Sequence, residues 1–127
     1  MRTGPTLLVA LALALAAPSA HADTSPAVAH LKRQHFDQCR RFTVAEALES
    51  YLGSPRWEFS RIADNGHAVI NVFGQMMFRH HPADVVVQFS LNEDADRFNI
   101  IGLWIDQNRQ SETTITDFVS NLCDNLR

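Results

Sequence analysis

Between Trp57 and Asp106 the apolar residues recur every second position, a period only an extended chain can satisfy. "RWEFSRI" sets Trp57 and Phe59 on one side, and "HAVINVFG" sets Ala68, Ile70 and Val72 against Val69 and Phe73. "VVVQFSL" alternates Val85, Val87, Phe89 and Leu91 with Val86, Gln88 and Ser90, and "RFNIIGLWID" follows as a fourth run. The links are short and polar: Asp64-Asn65-Gly66 is a hairpin turn signal, and Asn92 to Asp96 reads "NEDAD". Gly74 is expected to mark a bulge or the end of the second strand. Runs so closely joined pair most simply as an antiparallel meander.

The period changes to 3.6 on either side. In "TVAEALESYLGSP" Thr43 and Glu46 have the spacing of a capping box, and Val44, Ala47, Leu48, Tyr51 and Leu52 form one stripe. Gly53 is the expected left-handed stop, with Pro55 preventing resumption. "SETTITDFVSNLCDNLR" puts Ile115, Phe118, Val119, Leu122, Cys123 and Leu126 on one face, with Thr113 or Thr114 as the cap. Upstream, Ser25-Pro26 can open a further helix that aligns Val28, Leu31 and His35. The fold class is therefore α+β: a four-stranded antiparallel β-meander with amphipathic helices packed on one face. Its order is α-β-β-β-β-α over residues 43–127, preceded by an N-terminal segment, 23–42, with a possible helix.

The first residues follow different rules. Arg2, the apolar run Leu7 to Ala17 and the small-x-small site Ala20-His21-Ala22 have the layout of a secretory signal peptide, cleaved after Ala22. The run is about half of the roughly 20 residues a transmembrane helix needs, so no integral membrane segment is expected in the mature chain. Cleavage would remove one basic residue, leaving an acidic domain that started from a formal charge of −3. That balance argues against nucleic acid as a partner. Cys39 and Cys123 are the two cysteines. In an oxidising compartment, periplasmic or secreted, they are expected to form one disulfide that ties segment 23–42 to the last helix.

The strand-rich part, "GHAVINVFG", "DVVVQFSL" and "RFNIIGLWIDQNRQ" followed by a helix, resembles small α+β modules of uncharacterised bacterial envelope and secreted proteins. The likeness spans Phe42 to Arg127 and rests on hydrophobic spacing. It implies the fold and carries no functional residue across.

Chemistry concentrates in "GQMMFRHHPAD", the connection between the second and third strands over residues 74–84. Met76, Met77, His80 and His81 are the donor types that bind copper or zinc. Neighbouring residues of an extended chain point to opposite sides, however, so help would have to come from His67 or Asp84. No G-x-S-x-G or Cys-Gly context accompanies Ser54, Ser60 or Ser90. Glu93, Asp94 and Asp96 crowd one turn without a calcium loop's spacing. If helices cover one face of the sheet, the other displays a mixture of Glu58, Ser60, Val69, Asn71, Phe73, Val86, Gln88, Ile101 and Leu103, according to register. That is more apolar than a solvated sheet requires.

The expected function is a non-enzymatic exported module of the inhibitor, immunity or assembly-accessory type, a monomer or homodimer needing no cofactor. Its partner would be another envelope or secreted protein. The contact residues are Phe73, Met76, Met77, Phe78, Arg79, His80, His81 and Gln88. Metal binding through Met76, Met77, His80 and His81 is the alternative.

Overall fold

The computed structural model describes residues 25–127; the expected signal peptide and its cleavage site lie outside them. Helix α1 spans Pro26–Lys32 and α2 spans Val44–Tyr51, with a short 3-10 turn, Asp37–Cys39, between them. Strands β1 (Gly53–Ile62), β2 (Ala68–Phe78), β3 (His81–Asn92), β4 (Arg97–Ile105) and β5 (Asn108–Arg109) follow, and α3 (Glu112–Asn125) closes the chain. The strands form one antiparallel sheet in chain order, β1-β2-β3-β4-β5. The meander stands, with five strands rather than four. β5 escapes sequence reading because two residues have no period, and because its turn, Asp106-Gln107, has φ of 50° and 71° without a glycine.

β2 and β3 pair without a register shift from Ala68↔Leu91 to Phe78↔His81. This overturns the expected connection over residues 74–84. Arg79 and His80, both left-handed at φ 51° and 70°, make a two-residue turn, and the residues around it are strand. Gly74 does mark an irregularity: it pairs regularly with Val85 on the β3 side, but on the β1 side Ser54 and Pro55 stand opposite it between the pairs Gly53↔Gln75 and Arg56↔Phe73. A Cβ there would lie 2.8 Å from Leu52 Cβ, so the glycine makes room for the chain entering β1.

The three helices of the described residues all lie against one sheet face. Ala68, Ile70 and Val72 of β2, with Val85, Val87, Phe89 and Leu91 of β3, join Leu103 and Ile105 of β4 in a single core. Ala27, Val28, Leu31 and Phe36 belong to that core, so the N-terminal segment is built into it. α1 ends at Lys32, and His35 is exposed with its ring bonded to the Phe42 carbonyl at 2.9 Å. The predicted stripe of α3 is the one observed, with Ile115, Phe118, Val119, Leu122 and Cys123 buried.

The termini of the helices obey local chemistry. Thr43 and Glu46 form the capping box, with bonds of 2.8 and 3.0 Å. α3 is capped by Ser111, whose hydroxyl accepts from the Thr114 amide; the two threonines lie within the first turn itself. α2 ends because Leu52 is already extended, and the left-handed residue is Ser54 (φ 49°), not Gly53. Lys32, Glu49 and Trp57 then link α1, α2 and β1: the indole donates to Glu49 at 3.0 Å, and the ammonium lies 5.1 Å from the ring centre.

Cys39 and Cys123 are disulfide-bonded, with Cα atoms 5.5 Å apart across a sequence separation of 84. A crosslink of that span lowers the entropy of the unfolded chain by an amount worth about 4 kcal/mol. Urea unfolding of a Cys39→Ala/Cys123→Ala variant should show a loss of that order. Gly74→Ala should cost about 1–3 kcal/mol by the same assay, because Leu52 and the Gly53 carbonyl leave no volume for a methyl group.

Candidate functional site

Register decides what is displayed by the other sheet face, the helix-free face, which carries no helix among the described residues. Arg56 pairs with Phe73, Phe73 with Val86, Val86 with Trp104, and Trp104 with Arg109. These five residues stand in one row across all five strands, on the face opposite the core. Four strand spacings of about 4.8 Å set the two outer strands roughly 19 Å apart. Phe73, Val86 and Trp104 are half-buried, and both arginines are exposed.

Each arginine sits over the aromatic residue beside it. The Arg56 guanidinium lies 4.3 Å from the Phe73 ring centre and that of Arg109 lies 5.1 Å from the Trp104 ring. Arg109 also donates to the Ile101 carbonyl at 3.0 Å. The Trp104 ring folds back along its own strand over Gly102, where a Cβ would stand 2.5 Å from Cη2. Any side chain at 102 would lift the indole off the sheet. The stacking attracts a cation to the ring face and holds a flexible side chain in one place.

The neighbouring row is Glu58, Asn71, Gln88 and Gly102, with Gln88 donating to Asn71 at 2.9 Å. Beyond it stand Arg61, Val69, Ser90 and Asn99. Val69 is buried although it lies outside the main core. Ser90 Oγ lies 3.3 Å from His67 Nδ1, a pairing the separate positions gave no hint of.

The expected contact residues divide between the faces. Phe73, Met77 and Gln88 share the helix-free side with the row, and Met77 is 64% exposed. Met76 and Phe78 alternate to the other side and pack onto the core. Arg79 and His80 form the hairpin turn, and the Arg79 guanidinium lies 4.9 Å from the Phe78 ring centre. Of the residues expected on the open face, Leu103 is fully buried in the core, because a register shift between Gln88 and Phe89 changes the parity of β4. Trp104 takes its place; its strand was legible, its side was not.

The four candidate metal donors do not converge. Met76 and Met77 lie on opposite faces, His80 is in the turn, and His81 Nε2 is 3.2 Å from Asp106 Oδ2. Among the described residues no three His, Cys, Asp or Glu side chains are grouped to hold a metal ion, and no helix is long and apolar enough to cross a membrane.

Asp106 joins the β2-β3 hairpin to the β4-β5 turn. Its carboxylate accepts from the Asp84 amide at 3.0 Å and from His81, and its own amide donates to the Asp84 carbonyl at 2.8 Å. The Asp84 amide first, and His81 second, hold the Asp106 carboxyl below its usual range. A lowered carboxyl pKa adds stability above the unfolded value of about 4, and the gain disappears as pH falls through the folded value.

No protein-family model matches the chain, and no curated protein or solved structure matches it with significance.

Asp106→Asn should therefore lower the urea midpoint at pH 7. Its deficit relative to the parent should shrink towards zero at pH 2, where both chains lack that charge.

Proposed function

We propose that the protein is an exported, non-catalytic binding module that holds another envelope or secreted protein on its helix-free sheet face. The row Arg56-Phe73-Val86-Trp104-Arg109 carries this reading. Arginine and large aromatic residues are the types that dominate binding energy at the centre of protein interfaces. Here they are already ordered by stacking, so little side-chain freedom remains to be lost when a partner arrives. Asn71 and Gln88 add paired amides beside the row, and Met77 extends it towards the hairpin tip with an adaptable thioether.

Export is supported by the leader-like N-terminus and by the disulfide, a bond that persists in oxidising compartments. A non-catalytic role is supported by the character of the face, whose apolar and stacked groups serve contact. The module would act as a monomer or homodimer, and without a cofactor.

Met77→Glu changes an exposed group and should leave the unfolding curve within about 0.5 kcal/mol of the parent, while Arg109→Glu gives up a ring contact and a carbonyl bond and should cost about 1 kcal/mol without unfolding the domain. Partners captured from the periplasm or culture medium should bind the double variant at least tenfold more weakly, measured by surface plasmon resonance. Unchanged affinity for every captured partner would remove this reading.

A further inference from the structure

The two edges of the sheet are treated differently. β1 is interrupted by register shifts near both ends, contains Pro55, and lines its exposed positions with Arg56, Glu58 and Arg61. Such features discourage another strand from adding to an edge. At the opposite edge, β5 pairs only with Trp104 and Ile105. Residues 97–101 of β4 have no strand on their outer side among the described residues, and the Ile101 carbonyl is met there by the Arg109 guanidinium, which an added strand would displace.

A cleft of about 800 Å³ opens beside that bare edge. Phe98 and Ile100 of β4, Ile115 and Val119 of α3, and Phe36 supply its apolar wall. Its charges are largely satisfied from within. Arg40 pairs with Asp37 at 3.1 Å, while Asp96 accepts from His30 and Gln34 at 2.6 and 2.7 Å. Arg97, two residues from Asn99 and therefore on the other side of the same edge from Phe98 and Ile100, makes no side-chain hydrogen bond or ion pair among the described residues.

We propose that the β4 edge over residues 97–101 is a strand-addition site for an extended segment of another protein, one that alternates apolar side chains and carries a carboxylate for Arg97. The occupant is read from the surface. An open strand edge presents backbone donors and acceptors that an extended backbone satisfies, and the alternation of a strand sends every second side chain into the cleft. The added strand continues the line that β5 already occupies beside Trp104 and Ile105, over roughly 17 Å for five residues. A second copy of this edge is a poorer complement, because "RFNII" brings another arginine and no acid. The site adjoins the row where Arg109 bonds the Ile101 carbonyl, and the peptide and Arg97→Ala readouts test the edge without altering any residue of the row.

The test uses the folded chain and a capped hexapeptide of alternating valine and threonine with glutamate at one end. It is compared with the same peptide carrying glutamine, and with one N-methylated at alternate amides. Amide exchange followed by NMR should slow at least tenfold within residues 97–101 when the glutamate peptide is added. N-methylation should weaken binding at least tenfold, and Arg97→Ala should weaken the glutamate peptide at least fivefold while leaving the glutamine peptide within twofold. Absence of protection at β4, equal binding of the N-methylated peptide, or indifference to Arg97→Ala overturns the proposal. So does concentration-dependent protection of the same amides without peptide, which would assign the edge to a second copy.

Discussion

The uninterrupted pairing of β2 with β3 is the constraint on which the other elements depend. From Ala68↔Leu91 to Phe78↔His81 the two strands keep one register, while the ladders on either side of them both shift. With a side-chain period of two, that single register commits Ile70, Val72, Val87 and Phe89 to the helices and Phe73, Val86 and Gln88 to the other face. A slip of one residue would exchange the two sets. The left-handed turn at Arg79 and His80 and the Asp106 bridge to Asp84 hold the hairpin's tip end, where slippage would start.

The helices of the described residues answer one face of that hairpin and leave the other without a helix. Covering it from the N-terminal side takes α1, whose Leu31 is fully buried, and from the C-terminal side α3, whose Leu122 is equally buried. The disulfide then joins the turn after α1 to α3, so the first and last helical segments of the described residues are clamped over the same sheet. A domain of this size has a modest core, and a crosslink between its ends offsets part of the entropy that the core must overcome. Exposure of the Arg-Phe-Val-Trp-Arg row follows from this arrangement, since the layer that would hide it has been used on the opposite side.

Local signals in the chain were legible where a local reason exists. The capping box at Thr43 and Glu46, the α3 stripe from Ile115 to Cys123, the Asp64-Asn65-Gly66 turn and the alternation in β2 and β3 all appear where their spacing predicts. The misses lie where geometry comes from somewhere else. Gly53 and the Met-His stretch were read for what their residue types favour. Their conformations instead follow from Leu52 crossing Gly74 and from a hairpin turn built by Arg79 and His80. β5 and the change of parity in β4 were invisible for the same reason: a two-residue strand and a one-residue bulge leave no periodic trace.

The sequence by itself determined that the chain is α+β, that its strands form a meander, that amphipathic helices flank them, and which two cysteines are available to pair. Those properties depend on spacings within a dozen residues, which composition and period express directly. Only the tertiary structure decided that Trp104 rather than Leu103 faces outward, that Arg56 and Arg109 end one row, and that residues 97–101 of β4 run beside a cleft with no outer strand among the described residues. These depend on register between strands distant in the chain, and a pattern of alternation reports that two faces exist without saying which residues of neighbouring strands will meet on them.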